Sequence, residues 1–151
     1  MLFDRKVAAF HCDCVNYEEV IKLGSSLLLS VGTVKDTYEQ NVLDREERFP
    51  TGIPTDSIGV ALPHTDSEHV NTSQIAFLSL ARPVMFRYMA DKSTDVPVSL
   101  VFMIAMREPH EQVGILKNLM GLLRDRKALA ALQACTDKTD LSNMLLAHGI
   151  E

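Results

Sequence analysis

An α/β sandwich, with helices on both faces of a mixed central sheet, is the fold class this sequence predicts. Two observations predict it. Segments with helical spacing occupy the first and last parts of the chain, and dense apolar runs lie between them. Those runs carry too few polar residues to leave one face in water, as a sheet covered on both sides requires. No internal repeat, low-complexity run or linker interrupts the 151 residues. They read as one domain, residues 1–151, long enough to bury a substantial core.

The first apolar patch, residues 7–10, is followed by His11, Cys12 and Asp13. It is too short and too interrupted for a signal peptide or a spanning helix. Asn16 can cap a helix running through Val20, Ile21 and Leu23 to Leu29 and stopping at Gly32. A second helix is expected after Thr33, through Tyr38, Val42 and Leu43 to Arg48, ending before Pro50-Thr51-Gly52.

Residues 58–62 form a compact apolar strand, residues 74–80 another, and residues 84–88 a short edge strand. Residues 97–106 are the longest apolar run. A flanking polar turn and a proline favour a central strand there over a buried helix. After Pro109 comes a helix whose Val113, Leu116, Met120 and Leu123 are read as its sheet-facing stripe. Short helices from Arg124 onward and over 139–147 close the chain.

Composition narrows the function. A charged fraction of 23%, a formal charge of −5 and no basic block argue against nucleic acid or an anionic membrane as the main partner. The three cysteines, an odd number, point to a reducing, cytoplasmic setting. Cys12-Asp13-Cys14 lacks a second pair to complete a metal site, so both cysteines read as small buried residues.

The stretch from Glu47 to His64 carries most of the chemistry. A charged helix end, a loop and a short apolar strand lead to a histidine on a Pro turn. An imidazole there is held by a rigid element yet reaches solvent. His110 likewise follows the end of an apolar strand, in the first turn of the next helix after Pro109. If both strands run parallel in one sheet, the two imidazoles share its carboxyl edge, where open α/β sheets place their sites. The spacing from Val113 leans His110 toward the packed face. The helix N-terminus would keep it neutral and welcome an anion.

Arg45 and Arg48 close the second helix. Either pairs with Glu46 or Glu47 on the surface, or folds back over His64, where a guanidinium suits a phosphoryl group. His64-Thr65-Asp66-Ser67-Glu68-His69 is donor-rich, but its spacing does not match helical metal-ligand pairs. Asp66 is a candidate cap in that segment.

Asp44-Arg45-Glu46-Glu47, the Pro-Thr-Gly-Ile loop, the Ile-Gly-Val-Ala-Leu-Pro-His strand and the Pro-His-Glu-Gln-Val helix together resemble the IIA components of the sugar phosphotransferase system. The resemblance is to the fructose–mannitol superfamily and spans nearly the whole chain. Arg-Glu-x-x-Phe-Pro-Thr-Gly-Ile looks most like the galactitol-type proteins. Pro-His-Thr-Asp departs from the Pro-His-Gly common in the fructose and mannitol branches.

The resemblance implies that His64 is phosphorylated, through Nε2, with Nδ1–H held by a nearby oxygen. It implies that Arg45 and His110 stabilise the phosphoryl group. It also implies that the phosphocarrier HPr donates, that a IIB cysteine accepts, and that no metal, nucleotide or other cofactor takes part. An apolar docking patch around His64 would draw on Ile53, Val84, Met85 and Phe86. Two alternatives stay open: a IIA-like regulatory module acting by protein binding, and a metal-dependent hydrolase using the His64–His69 segment.

Overall fold

The structure, a computed structural model, describes residues 2–151. Along the chain run β1 (Ala8–Cys12), α1 (Tyr17–Ser30), α2 (Tyr38–Arg48), β2 (Gly52–Ile53) and β3 (Gly59–Ala61). A 3₁₀ turn (Ser67–His69) precedes β4 (Gln74–Tyr88), β5 (Asp91–Ala105), α3 (Pro109–Leu123), α4 (Arg126–Ala134) and α5 (Lys138–Leu146). Asn16, Asp125 and Asp137 cap α1, α4 and α5, each accepting a backbone N–H of the first turn on its side chain.

β4 and β5 form a long antiparallel hairpin at the centre of the sheet. β1 lies parallel to β4, β3 lies parallel to β5, and β2 pairs antiparallel with β3 while touching Tyr88 of β4 through Gly52. The sheet is therefore mixed.

Its inner half is buried on both faces. Ile75, Phe77, Leu100, Phe102 and Ile104 pack with residues of α3, α4 and α5. Ala76, Met103 and Ala105 pack with Ile21, Leu28, Tyr38 and Val42 of α1 and α2. Alternate residues of one strand serve opposite layers, so the run has no polar face. This is the expected sandwich.

Several boundaries differ from expectation, each for a local reason. Helix α2 begins at Tyr38 rather than after Thr33, because Val34 bridges Val70 and the Lys35 N–H donates to the His69 carbonyl. Residues 84–88 are not a separate edge strand but the outer half of β4, beyond a register shift between Ser79 and Val84. Their partners begin at Asp91, so β5 starts before Pro97. Residues 91–95 are exposed on both faces and show no alternation to read. Residues 8–10 of the first apolar patch belong to β1, and β2 lies within what reads as a loop.

In α3 the buried stripe is Ile115, Leu119, Leu122 and Leu123, whereas Val113 is 74% exposed. Of the expected stripe, Leu123 is buried and Leu116 and Met120 pack partly buried against the core, so Val113 alone lies off it, and His110 is exposed instead of leaning on the sheet. Cys14 is buried as expected, but Cys12 is only partly so.

Gly59 opens the strand that leads to His64. A side-chain carbon there would overlap the Pro97 carbonyl of β5. Gly59→Ala should therefore cost about 3 kcal/mol by forcing β3 away from its partner, measured by chemical denaturation.

Candidate functional site

His64 leaves β3 through Pro63, whose carbonyl accepts the Ile104 N–H at 2.9 Å, and His64 itself bridges Ile104 in parallel. The histidine is thus anchored to the end of the central strand. β3 and β5 are parallel, so His64 and the start of α3 do share one carboxyl edge.

The half-buried ring has its Nδ1 at 2.8 Å from the Leu62 carbonyl oxygen. A carbonyl only accepts, so Nδ1 carries the proton and the neutral ring keeps its lone pair on Nε2. Burial pushes the imidazole pKa below its ordinary 6.5, and the Arg45 guanidinium pushes the same way, while the Leu62 carbonyl and Asp66 oppose them. A neutral, nucleophilic ring at pH 7 follows.

The ring opens onto a cavity of about 410 Å³ lined by Arg45, Arg48, Phe49, Pro50, Thr51, the turn residues Met89 and Ala90, and Asp91 and Lys92 at the start of β5. Three cations face this space. Its acidic neighbour is occupied elsewhere: Asp91 accepts from the Ser93 N–H at 3.0 Å and from the hydroxyls of Ser93 at 2.6 Å and Thr94 at 2.9 Å.

Arg45 lies over the Phe49 ring, 5.5 Å from its centroid, and reaches Asp66 at 3.8 Å. Its Nε is buried with no hydrogen-bond partner among the described residues, a donor without an acceptor. Neither Arg48 nor Lys92 takes part in an ion pair among those residues. An entering anion would meet little competition.

Of the residues singled out from sequence, His64 and Arg45 come together at this cavity, and Arg48 joins them. His110 does not line it. Asp66 precedes the 3₁₀ turn but makes no side-chain cap and pairs with Arg45 instead. His69 turns to Thr37, Nδ1 to Oγ1 at 2.8 Å, and among the described residues no group of three or more His, Cys, Asp or Glu could hold a metal.

The expected apolar patch is corrected. Val84 and Phe86 are buried between the layers, Ile53 is partly buried, and Met85 is exposed but does not line the cavity. Phe49 and Met89, exposed by 61% and 48%, form the apolar rim instead. Phe49 was visible as an aromatic in a charged helix end. Met89 and Lys92 lay hidden because nothing marked residues 89–90 as a hairpin turn or Asp91 as the start of a strand.

The sequence model of the phosphoenolpyruvate-dependent sugar phosphotransferase system EIIA 2 family matches residues 1–148. The chain belongs to that family. It is 36% identical over 110 residues to the galactitol-specific EIIA component of Escherichia coli K12, covering 73% of both chains. It is 23% identical over 145 residues to the ascorbate-specific EIIA component of the same strain, covering 95% of this chain and 92% of that one.

In the solved complex of mannitol enzyme IIA with phosphorylated enzyme IIB from Escherichia coli, the matching chain aligns with a TM-score of 0.73 at 23% identity. That match covers 94% of this chain and 95% of the other, a likeness of fold. Family members are components of a phosphotransferase system. Among the described residues no helix is long and apolar enough to cross a membrane.

The geometry predicts that His64 titrates below 6.5 and populates the Nδ1–H tautomer, both measurable by ¹⁵N NMR of the imidazoles. Arg45→Ala should raise that pKa, because it removes a neighbouring positive charge.

Proposed function

We propose that this EIIA chain is a cytoplasmic phosphoryl-relay subunit that takes its phosphoryl group from HPr onto His64 and passes it to a IIB cysteine. The observation that carries this reading is the neutral imidazole, Nε2 free, beside a cavity bearing three cations. The galactitol-specific relative favours a galactitol-like polyol as the sugar served.

In the first step the His64 Nε2 lone pair attacks phosphorus, and the N–P bond of phospho-HPr breaks, returning its electron pair to the donor ring. The proton stays on Nδ1, donated to the Leu62 carbonyl oxygen throughout, so no base is needed. In the second step an acceptor thiolate attacks phosphorus and the His64 N–P bond breaks in the same sense.

Both transfers spread charge over the equatorial oxygens, so positioning and electrostatics carry the rate. Arg45, whose half-exposed guanidinium side chain lines the cavity, is the main stabilising group, supported by Arg48 and Lys92. His110 keeps the supporting role that the family resemblance assigns it, with a smaller share than Arg45 because it stands outside the cavity. Phe49 and Met89 supply the apolar rim on which each partner docks. The solved complex of mannitol enzyme IIA with phosphorylated enzyme IIB supports a fold of this shape meeting a IIB protein.

Incubation with phosphoenolpyruvate, enzyme I and HPr should add a single acid-labile, base-stable phosphate, read by intact mass. His64→Ala should abolish it; full labelling of that variant would end the relay reading. Arg45→Ala should slow transfer about 100-fold, and His110→Ala by a smaller factor with labelling still reached. Phe49→Ala with Met89→Ala should raise the apparent KM for HPr and IIB while turnover is retained.

A further inference from the structure

The phosphoryl relay leaves a buried carboxyl group without a task. Glu46 follows Arg45 on α2, is only 5% exposed, and points away from the solvent that a helical glutamate ordinarily seeks. Both of its oxygens are occupied by one residue. Oε2 accepts the Thr51 backbone N–H at 2.7 Å and Oε1 accepts the Thr51 hydroxyl at 2.8 Å.

That hydroxyl in turn accepts the Leu62 N–H at 3.2 Å. The Leu62 carbonyl is the group that holds the His64 ring, at 2.8 Å. Hydrogen bonds on either side of the Leu62 backbone thus connect the helix carrying Arg45 to the imidazole.

We propose that Glu46 and Thr51 are positioning residues for phosphoryl transfer, a clamp that sets the separation between the Arg45 guanidinium and His64. The proposal rests on the relay reading of His64. A carboxylate inside a protein is costly, and an apolar side chain of similar volume would fill the space at less cost. What an apolar residue could not do is fix direction. Two donors on two oxygens set the angle of the Thr51 loop, and Thr51 sets where Leu62 sits. Leu62 is then held on both sides, by its N–H to Thr51 and by its carbonyl to His64.

The clamp also carries a proton dependence. Burial pushes Glu46 up to about 7, against the two Thr51 donors that favour its ionised form. The groups sharing its adjoining cavity are Tyr17 from α1, Glu47 from α2, Arg87 from β4, and Lys92 and Ser93 from β5. Protonation turns one acceptor oxygen into a donor, so the Thr51 hydroxyl loses its place and the clamp loosens as pH falls through 7.

The test compares wild type, Thr51→Val, Thr51→Ser and Glu46→Gln for the rate of His64 labelling by phospho-HPr at several values of pH. Thr51→Val should slow labelling about tenfold while still reaching one phosphate, and Thr51→Ser should restore the rate by restoring the hydroxyl. Glu46→Gln should be slowed similarly and should flatten the rise in relative rate around pH 7. It keeps the size of the side chain, so it decides the matter even where Thr51→Val does not fold. A wild-type rate and pH profile in Glu46→Gln, or no rescue by Thr51→Ser, overturns the clamp. Wild-type protein that takes no phosphate overturns the relay reading instead, so the two failures are distinct.

Discussion

The hydrogen bond from His64 Nδ1 to the Leu62 carbonyl is the contact on which the site's chemistry depends. It spends the only ring proton on the backbone two residues upstream, which leaves the opposite nitrogen bare. A bond this local would ordinarily be unreliable, because a short strand end can fray. Here the strand is trapped. β3 lies between β2 and β5, the Pro63 carbonyl is taken by Ile104, and the absent side chain at Gly59 allows close approach to β5. The sheet therefore fixes the tautomer, and burial in the same place keeps the ring uncharged.

Electrostatics around the ring run against the rest of the molecule. The chain carries a formal charge of −5, yet the cavity beside His64 gathers Arg45, Arg48 and Lys92, while its acid, Asp91, is tied to Ser93 and Thr94. A local positive field on an acidic protein attracts an anionic group to one place without making the whole surface sticky. The exposed Phe49 ring serves two ends, since it supports the Arg45 guanidinium and offers apolar area at the rim.

The centre of the fold was legible because its residues obey one demand. Residues 74–80 and 97–105 must be apolar on both faces to sit between two helical layers, and such runs are visible in a sequence. Helix caps were equally plain at Asn16, because a side-chain oxygen before an apolar period has few other uses. What escaped was structure held by exposed or long-range contacts. The outer arm at Asp91-Lys92-Ser93-Thr94-Asp95 is wet on both faces, so no period betrays it as a strand. In α3 the exposed Val113 was counted into a stripe whose other members do face the core, and His110, placed by its spacing from Val113, was misplaced with it. At the site, Arg45 and His64 were readable from their own neighbourhoods. Lys92 and Met89 were not, since their place depends on a hairpin closing over fifteen residues per arm.

That hairpin has a consequence for the order in which the molecule comes alive. The groups around the ring derive from the end of α2, the end of β3 and the β4–β5 turn, segments that meet only once every strand has found its neighbour. Non-local pairing of this kind is slow to form and arrives late. A half-made chain accordingly has the histidine but not yet the cations and apolar rim that surround it in the finished fold.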